Sequence, residues 1–481
     1  MDCAGLRADI DKLKQELQAF EIDVKAIRES KGHNKELQNV ARVIDSNLSD
    51  STLERYLKDF QEQNIKIFPA FTLSERIECK ALMNSLPMVI ANNGHVLIGG
   101  NNGALYVGVF DEQGKITLSE QIEVGGIKNA YGNPERVYSI AATNDGHVLI
   151  GGAKGAFYSG SYDDQGRLLL DGRINIEDAG GRPADIDFII TTTDGGHVLI
   201  GGMGASYSGS YDDQGRLLLG GRINIEDADG NPATVRCMAA TDDGRVLIGV
   251  HPGGFYCGFY DNSGEFILSE RTDIRGADGQ PVYIRSIKAA SDGHVLINGM
   301  ISSNDAFYSG VCDDRGRLIL DEQIGVGDVN GDPNSIWSVA VIDDRRVLIG
   351  GDEGIFYEGS YDDGGKLVLG ERIDIRDANG RPATINSIIA TDDRRVLIGG
   401  YYGVLYSGRY DNQGKLVLSE RIDIKDAGGD QVNIESILVT NDGHVLIKAR
   451  GDQFYSGTLN ISLETLKQHL RDIIEKSESG E

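Results

Sequence analysis

The sequence predicts an all-β ring of eight four-stranded antiparallel blades, a β-propeller, with helical segments at both ends. Two observations carry this. The tripeptide Val-Leu-Ile occurs eight times, beginning at Val96, Val148, Val198, Val246, Val295, Val347, Val396 and Val445, at spacings of 48 to 52 residues. A period of about 50 in Gly-punctuated, β-rich units is that of a propeller blade, too long for ankyrin or leucine-rich repeats. Glycine is abundant, at 64 residues against 9 prolines, without a three-residue period, which assigns the glycines to turns between many short strands.

Each unit reads as four strands. In the second they run from Tyr138 to Thr143, His147 to Gly151, Ala156 to Tyr162 and Arg167 to Ile176, here called A, B, C and D. Asn144-Asp145-Gly146 and Asp163-Asp164-Gln165-Gly166 separate A from B and C from D. Both combine a turn-capping residue with a Gly able to take φ > 0, as tight hairpins demand.

The two ends show how the ring closes. Phe71 to Glu78 (FTLSERIE) precedes the first A strand and matches the D strands at Ile116 (ITLSEQIE), Phe266 (FILSERTD) and Leu416 (LVLSERID). After Val445 a C strand ends near Thr458, and a helix begins where D should follow. The spare N-terminal strand is therefore expected to complete the eighth blade, which pairs the termini and removes two open edges. The propeller is assigned to residues 71–458.

With its strand, Asp-Gly turn, strand and Gly-aromatic pattern, the unit resembles those of WD-repeat, YVTN and two-component-regulator propellers. The resemblance covers residues 71–458 and implies a closed propeller. Eight blades also occur in quinone-dependent alcohol dehydrogenases, but those dock their blades with repeated tryptophans, and this chain has only Trp337.

Helical patterns flank the ring. Leu6, Ile10, Leu13, Leu17, Phe20, Val24 and Ile27 make a heptad seam, and Leu37, Val40, Ile44 and Leu48 make a second stripe. Ser51 and Glu54 form a capping box before Leu53, Tyr56, Leu57 and Phe60. Residues 1–65 are thus a helical, coiled-coil-like segment; a hairpin folded on itself or on the propeller and a homo-oligomer through this seam are both open. Residues 461–481 combine an amphipathic helix (Leu463, Leu466, Leu470, Ile473, Ile474) with an acidic tail from Glu475 to Glu481. That glutamate-rich end resembles those of bacterial type IV secreted effectors, which implies translocation into a host cell cytosol. Without a basic n-region and apolar h-region, the expected location is otherwise cytoplasmic.

Composition narrows the function. The net charge is −27, and −23 of it falls between residues 71 and 458. Such a ring repels nucleic-acid phosphate and anionic lipid, and favours encounter with basic partners; solubility alone is the other reading. No run of 18 apolar residues occurs, so no membrane insertion is expected. Five cysteines (Cys3, Cys79, Cys237, Cys257, Cys312) contain no CxxC pair, which indicates reduced thiols and neither a disulfide framework nor a zinc knuckle.

Other residues invite chemical readings. His95, His147, His197, His294 and His444 occupy one repeat position, replaced by Arg245, Arg346 and Arg395 in the other blades. Equivalent positions lie a blade apart, too far to share a metal ion, so they are read as B-strand starters near a turn carboxylate. The D-to-A loops at Asp227, Asp328 and Asp377 partly resemble calcium loops but lack a glutamate at position 12, which leaves Asx turns. GxSxG, Walker, HExxH and kinase motifs do not occur, so no metal, no cofactor and no catalytic residue is assigned.

The two faces differ. The A-to-B and C-to-D turns stay nearly constant (DGH, DDQGR). The residue ten before each Val of Val-Leu-Ile varies instead: Leu86, Tyr138, Phe188, Arg236, Arg285, Trp337, Asn386 and Glu435. B-to-C loops on the same face vary too, at Lys154, His251-Pro252, Met300-Ile301, Tyr401-Tyr402 and Arg450. The expectation is a non-enzymatic interaction scaffold that binds a protein partner through this variable axial face. The alternative is a small ligand or sugar stacked in the axial mouth by Trp337, Tyr138 and Phe188; an enzyme with an unrecognised site stands third.

Overall fold

The computed structural model describes residues 72–78 and, apart from short turn segments, residues 87–459. Its strands form eight sheets, each one blade. In blade 2, A is Val137–Ala142, B His147–Gly152, C Phe157–Tyr162 and D Leu168–Leu170, each antiparallel to the next.

The tripeptide owes its repetition to burial on both faces of strand B, where alternate side chains meet opposite neighbours. Leu149 packs with Val198 and Ile200 of blade 3, whereas Val148 and Ile150 pack with Leu97 of blade 1. The same division continues around the ring, from Leu199 with Val246 and Ile248 to Leu397 with Val445 and Ile447. Leu446 against Val96 and Ile98 closes it. No residue of the eight tripeptides is more than 2% exposed. The approach between blades is close: a Cβ at Gly151 would stand 2.4 Å from Ile186 Cγ2 of blade 3.

Closure follows the expected scheme. Thr72–Glu78 pairs antiparallel with Gln453–Thr458 and so supplies the outer strand of the blade formed with His444–Ala449 and Ile434–Val439. The D strand of blade 2 is shorter than expected. Regular pairing stops at Leu170; Asp171 N–H then donates to Ser159 O (2.8 Å) and Ile174 N–H to Phe157 O (2.9 Å), so three steps on D answer two on C. This one-residue bulge breaks the ladder without detaching the chain.

The turns are built by short acidic side chains. Asp212 Oδ1 accepts from the N–H of Gln214 and of Arg216, both at 2.9 Å, and Gly215 follows with φ +72°. In the D-to-A loops Asp227 Oδ1 accepts from Asp229 N–H and Asn231 N–H, both at 2.9 Å, and Gly230 has φ +81°. That is the Asx turn, recurring at Asp328 and Asp377. The segment 1–65, its seam from Leu6 to Ile27, and the helix and acidic tail at 461–481 lie outside the described residues.

Two predictions follow from this architecture. Deleting residues 1–80 removes the closing strand and exposes the edge of Gln453–Thr458, so the product aggregates, whereas deletion of residues 1–65 leaves a folded ring; light scattering and thermal melts of both truncations separate the outcomes. The second concerns acid. Backbone N–H donors hold Asp178, Asp212, Asp227 and Asp313 below the ordinary carboxylate value of 3.8. A folded pKa below the unfolded one means that stability is fully present above pH 3.8 and is lost as pH falls through the depressed values. Melting temperature is therefore expected to fall most steeply below pH 3.8; a curve that is flat or rising there contradicts the assignment.

Candidate functional site

Two sets of loops define the two faces. The B-to-C turn of blade 2 sits between successive D-to-A loops: Ala130 N–H donates to Lys154 O (2.9 Å), Lys154 N–H to Asp185 Oδ1 (2.8 Å) and Gly155 N–H to Ala184 O (2.6 Å). A-strand starts, B-to-C loops and D-to-A loops therefore share one face. Lys154 and Tyr402 take positive φ there, +51° and +54°, and Tyr402 N–H is likewise held by Asn433 Oδ1 at 2.8 Å. Each strained residue is thus anchored to the next blade.

The variable residues occupy one structural position, a bulge at the start of strand A. Val137 pairs with Gly152 and Ser139 with Gly151, which leaves Tyr138 as the extra residue. The register skips in the same way over Arg236, Arg285, Trp337, Asn386 and Glu435. An unpaired bulge residue re-aims its side chain without disturbing the ladder behind it. Leu86 lies outside the described residues.

Phe188 is not a member of this ring. Ile186 N–H donates to Gly152 O (3.0 Å) just as Val137 N–H donates to Gly100 O (3.2 Å) and Val235 N–H to Gly202 O (3.3 Å), so Asp187 holds the position of Tyr138 and Arg236. The cause is a longer A-to-B turn in blade 3: Thr192 N–H reaches His197 O across five residues, Thr143 N–H reaches His147 O across four. Counting back from Val198 therefore lands one residue late. Phe188 is half-buried and packs with Val246 and Ile248 between blades 3 and 4. Tyr138 and Trp337 stand four blades apart, on opposite sides of the ring. Of the three aromatics expected to stack on one small ligand, Phe188 is thus taken up by the seam between blades 3 and 4.

The remaining ring members divide by how far the fold engages them. Glu435 forms an ion pair with the buried Lys448, and Asn386 Nδ2 donates to Ile434 O of the next blade at 3.1 Å. Arg285 Nη1 bonds Asp305 Oδ1 (3.1 Å), Arg285 Nη2 meets Met300 Sδ (3.2 Å), and its guanidinium lies 5.5 Å from the centre of the Trp337 ring. Burial pushes the Asp305 carboxyl up, while the Ile336 N–H and Arg285 hold it down. Arg236 is exposed and stands over Tyr283 at 5.2 Å, and His251 lies 5.2 Å from Tyr283 on its other contact. Trp337 is 50% exposed and Tyr402 57%. Blades 4 to 6 thus carry a continuous arc of Arg236, Tyr283, Arg285 and Trp337. Tyr283 was not singled out from sequence, since a cation–π contact across two blades leaves no mark in one repeat, whereas His251 and Tyr402 belong to the B-to-C loops read there as varying on this face.

The opposite face explains the repeated His and Arg. His147 stacks on Tyr211 of the next blade (4.0 Å between centroids), His197 on Tyr260 (3.9 Å) and His294 on Tyr361 (3.9 Å). Arg346 takes the same place over Tyr410 at 4.1 Å and donates to Gly414 O at 3.1 Å. His147 also lies 3.5 Å from Asp145, the turn carboxylate expected beside it. These side chains are clamps between blades, and the constancy of that face follows from them.

No protein-family model and no curated protein sequence matches the chain. Solved structures do. The propeller of Dos1 aligns with a TM-score of 0.54 at 13% identity, covering 81% of this chain and 95% of that one. The C-terminal WD40 domain of Sif2 aligns with a TM-score of 0.52 at 11% identity, covering 82% and 99%. A putative 6-phosphogluconolactonase from Bacteroides fragilis aligns less well, with a TM-score of 0.43 at 15% identity over 68% and 92%, too distant to bear on chemistry. The chain is a closed eight-bladed β-propeller similar in fold to Dos1 and to the WD40 domain of Sif2, and at such identities the likeness is one of fold.

Proposed function

We propose that the chain is a non-enzymatic protein-interaction scaffold, and that the arc of Arg236, Tyr283, Arg285 and Trp337 on blades 4 to 6 is the centre of its docking face. The observation that carries this is the bulge. It places large aromatic and guanidinium side chains outside the ladder at the mouth, where burial by a partner combines apolar area with directional hydrogen bonds. A cationic arc on a ring of net charge −23 also bears on the partner. The acidic periphery favours approach of a basic surface, but the arc itself suits carboxylate or carbonyl groups beside an apolar patch.

Substitution separates contact from support. Trp337→Ala and Arg236→Ala are expected to change stability by less than about 1 kcal/mol and to weaken partner binding by about 1 kcal/mol or more, roughly fivefold. Gln214→Ala, in a C-to-D turn of the other face, leaves binding intact. The measurement is quantitative mass spectrometry of proteins retained by the wild type and each variant. Proteins lost equally from all three variants, or lost with Gln214→Ala alone, place the docking face elsewhere.

Arg285 behaves differently because it serves both roles. Its removal leaves Asp305, whose side chain is 6% exposed, without its cation, and the loss expected in urea denaturation is about 1 to 3 kcal/mol. An Arg285→Ala protein as stable as Arg236→Ala would show that the Asp305 pair contributes nothing.

A further inference from the structure

At several seams the third residue of the C-strand motif meets the end of the next blade's C strand. Between blades 2 and 3 this brings Ser159 Oγ to 3.4 Å from the Tyr211 hydroxyl. Between blades 6 and 7 Glu358 replaces the serine and is hydrogen-bonded to Tyr410. The corresponding residues are Ser208 and Tyr260 for blades 3 and 4, and Ser309 and Tyr361 for blades 5 and 6. Between blades 4 and 5 both partners are cysteine, Cys257 and Cys312, and their thiols are hydrogen-bonded to each other. The repeat has changed on both sides of one contact.

The surroundings suit oxidation. Both thiols are free; Cys257 is fully buried and Cys312 half-buried. The C-to-D turn of blade 5 lies directly on the pair, since a Cβ at Gly316 would stand 3.5 Å from Cys257 Cβ and 3.7 Å from its Sγ. Arg245 Nη1 donates to Cys312 O (3.3 Å) and Asp313 O (3.1 Å), which fixes the strand end and sets a guanidinium beside the sulfurs. The contact between the two thiols, helped by Arg245, favours a single thiolate shared by the pair, while the same contact and burial oppose a second. The pair gives up its first proton readily and its second reluctantly.

We propose that Cys257 and Cys312 form a peroxide-oxidisable dithiol that closes into a disulfide stapling blade 4 to blade 5. Peroxide arrives at Cys312, the less buried member of the pair. The proton shared by the pair passes to Cys257, and the Cys312 thiolate attacks one peroxide oxygen. The O–O bond breaks, leaving a sulfenic acid on Cys312 and a hydroxide that leaves as water with one thiol proton. Cys257 sulfur then displaces the sulfenic hydroxyl, which leaves as water with the other. Two thiols lose two electrons to one peroxide, giving one disulfide and two waters.

The test treats the full chain, with its five cysteines, with hydrogen peroxide, then alkylates and digests it without reductant. Expected are a peptide linked through Cys257 and Cys312, the loss of two titratable thiols, reversal by dithiothreitol, and a higher melting temperature after oxidation. Cys257→Ser alone should strand Cys312 as a sulfenic acid that dimedone traps. The double variant Cys257→Ser with Cys312→Tyr restores the pairing found between blades 2 and 3, and its melting temperature should not respond to peroxide. Oxidation of Cys312 to sulfinic or sulfonic acid with no link to Cys257, or a link to Cys3, Cys79 or Cys237 instead, overturns the proposal.

Discussion

The structure depends on one constraint: every B strand must be covered on both faces by its neighbours, and in a ring this can be met only if the last blade meets the first. Alternation along Val-Leu-Ile sends two branched side chains one way and one leucine the other, so each blade presents a two-pronged and a one-pronged surface. A single blade has no partner for either. Leu446 against Val96 and Ile98 is therefore equal in kind to the other contacts, and the pairing of Thr72–Glu78 with Gln453–Thr458 fastens the blade that makes it. The N-terminal strand belongs to blade 8 because the chain must return to where it began.

This constraint also decides what could be read from sequence. Residues buried on both faces cannot vary, so the tripeptide declares the blade count and the spare LSERIE strand declares the closure. Turn glycines and their aspartates are equally visible, since positive φ and an Asx hydrogen bond each demand a particular residue. What is invisible joins two blades. His147 and Tyr211 are 64 residues apart in sequence and stack ring on ring, yet each repeat shows only a conserved-looking histidine and a tyrosine with no sign that they touch. Only a joint replacement, Arg245 beside Cys312 where those blades have histidine and tyrosine, carries the pairing. The displacement of Phe188 has a similar origin: one residue added to a turn moves the count without moving the fold.

The difference between the faces has a mechanical cause. On the side of the A-to-B and C-to-D turns, each B-strand start reaches across to the next blade's strand end and turn, as His294 Nε2 does to Gly365 O at 3.1 Å. A side chain used in that way is committed on both sides of an interface, and a change in one member requires a change in the other. On the other side, the bulge at the head of strand A takes one residue out of the ladder. Its neighbours, Val137 and Ser139 in blade 2, continue the pairing and the core, so the bulged residue is released from both. A fold with such positions can vary its mouth without altering its blades.

Release from the ladder is not the same as freedom. Glu435 is drawn to Lys448, which stands where six blades have glycine and blade 5 has Asn298, and Asn386 is tied to Ile434 O, so blades 7 and 8 spend their bulge residues on the fold. Arg285 lies between these cases, held by Asp305 beneath it and facing Trp337 beside it. That intermediate state is useful to an interface, because a guanidinium fixed by one carboxylate loses less rotamer freedom when a partner arrives. Arg236 over Tyr283 is restrained in the same direction by a weaker contact. On the proposed reading, the part of the mouth best prepared for a partner is therefore the stretch where side chains are restrained but not used up, and among the described residues only the arc across blades 4 to 6 joins two arginines and a tryptophan in that condition.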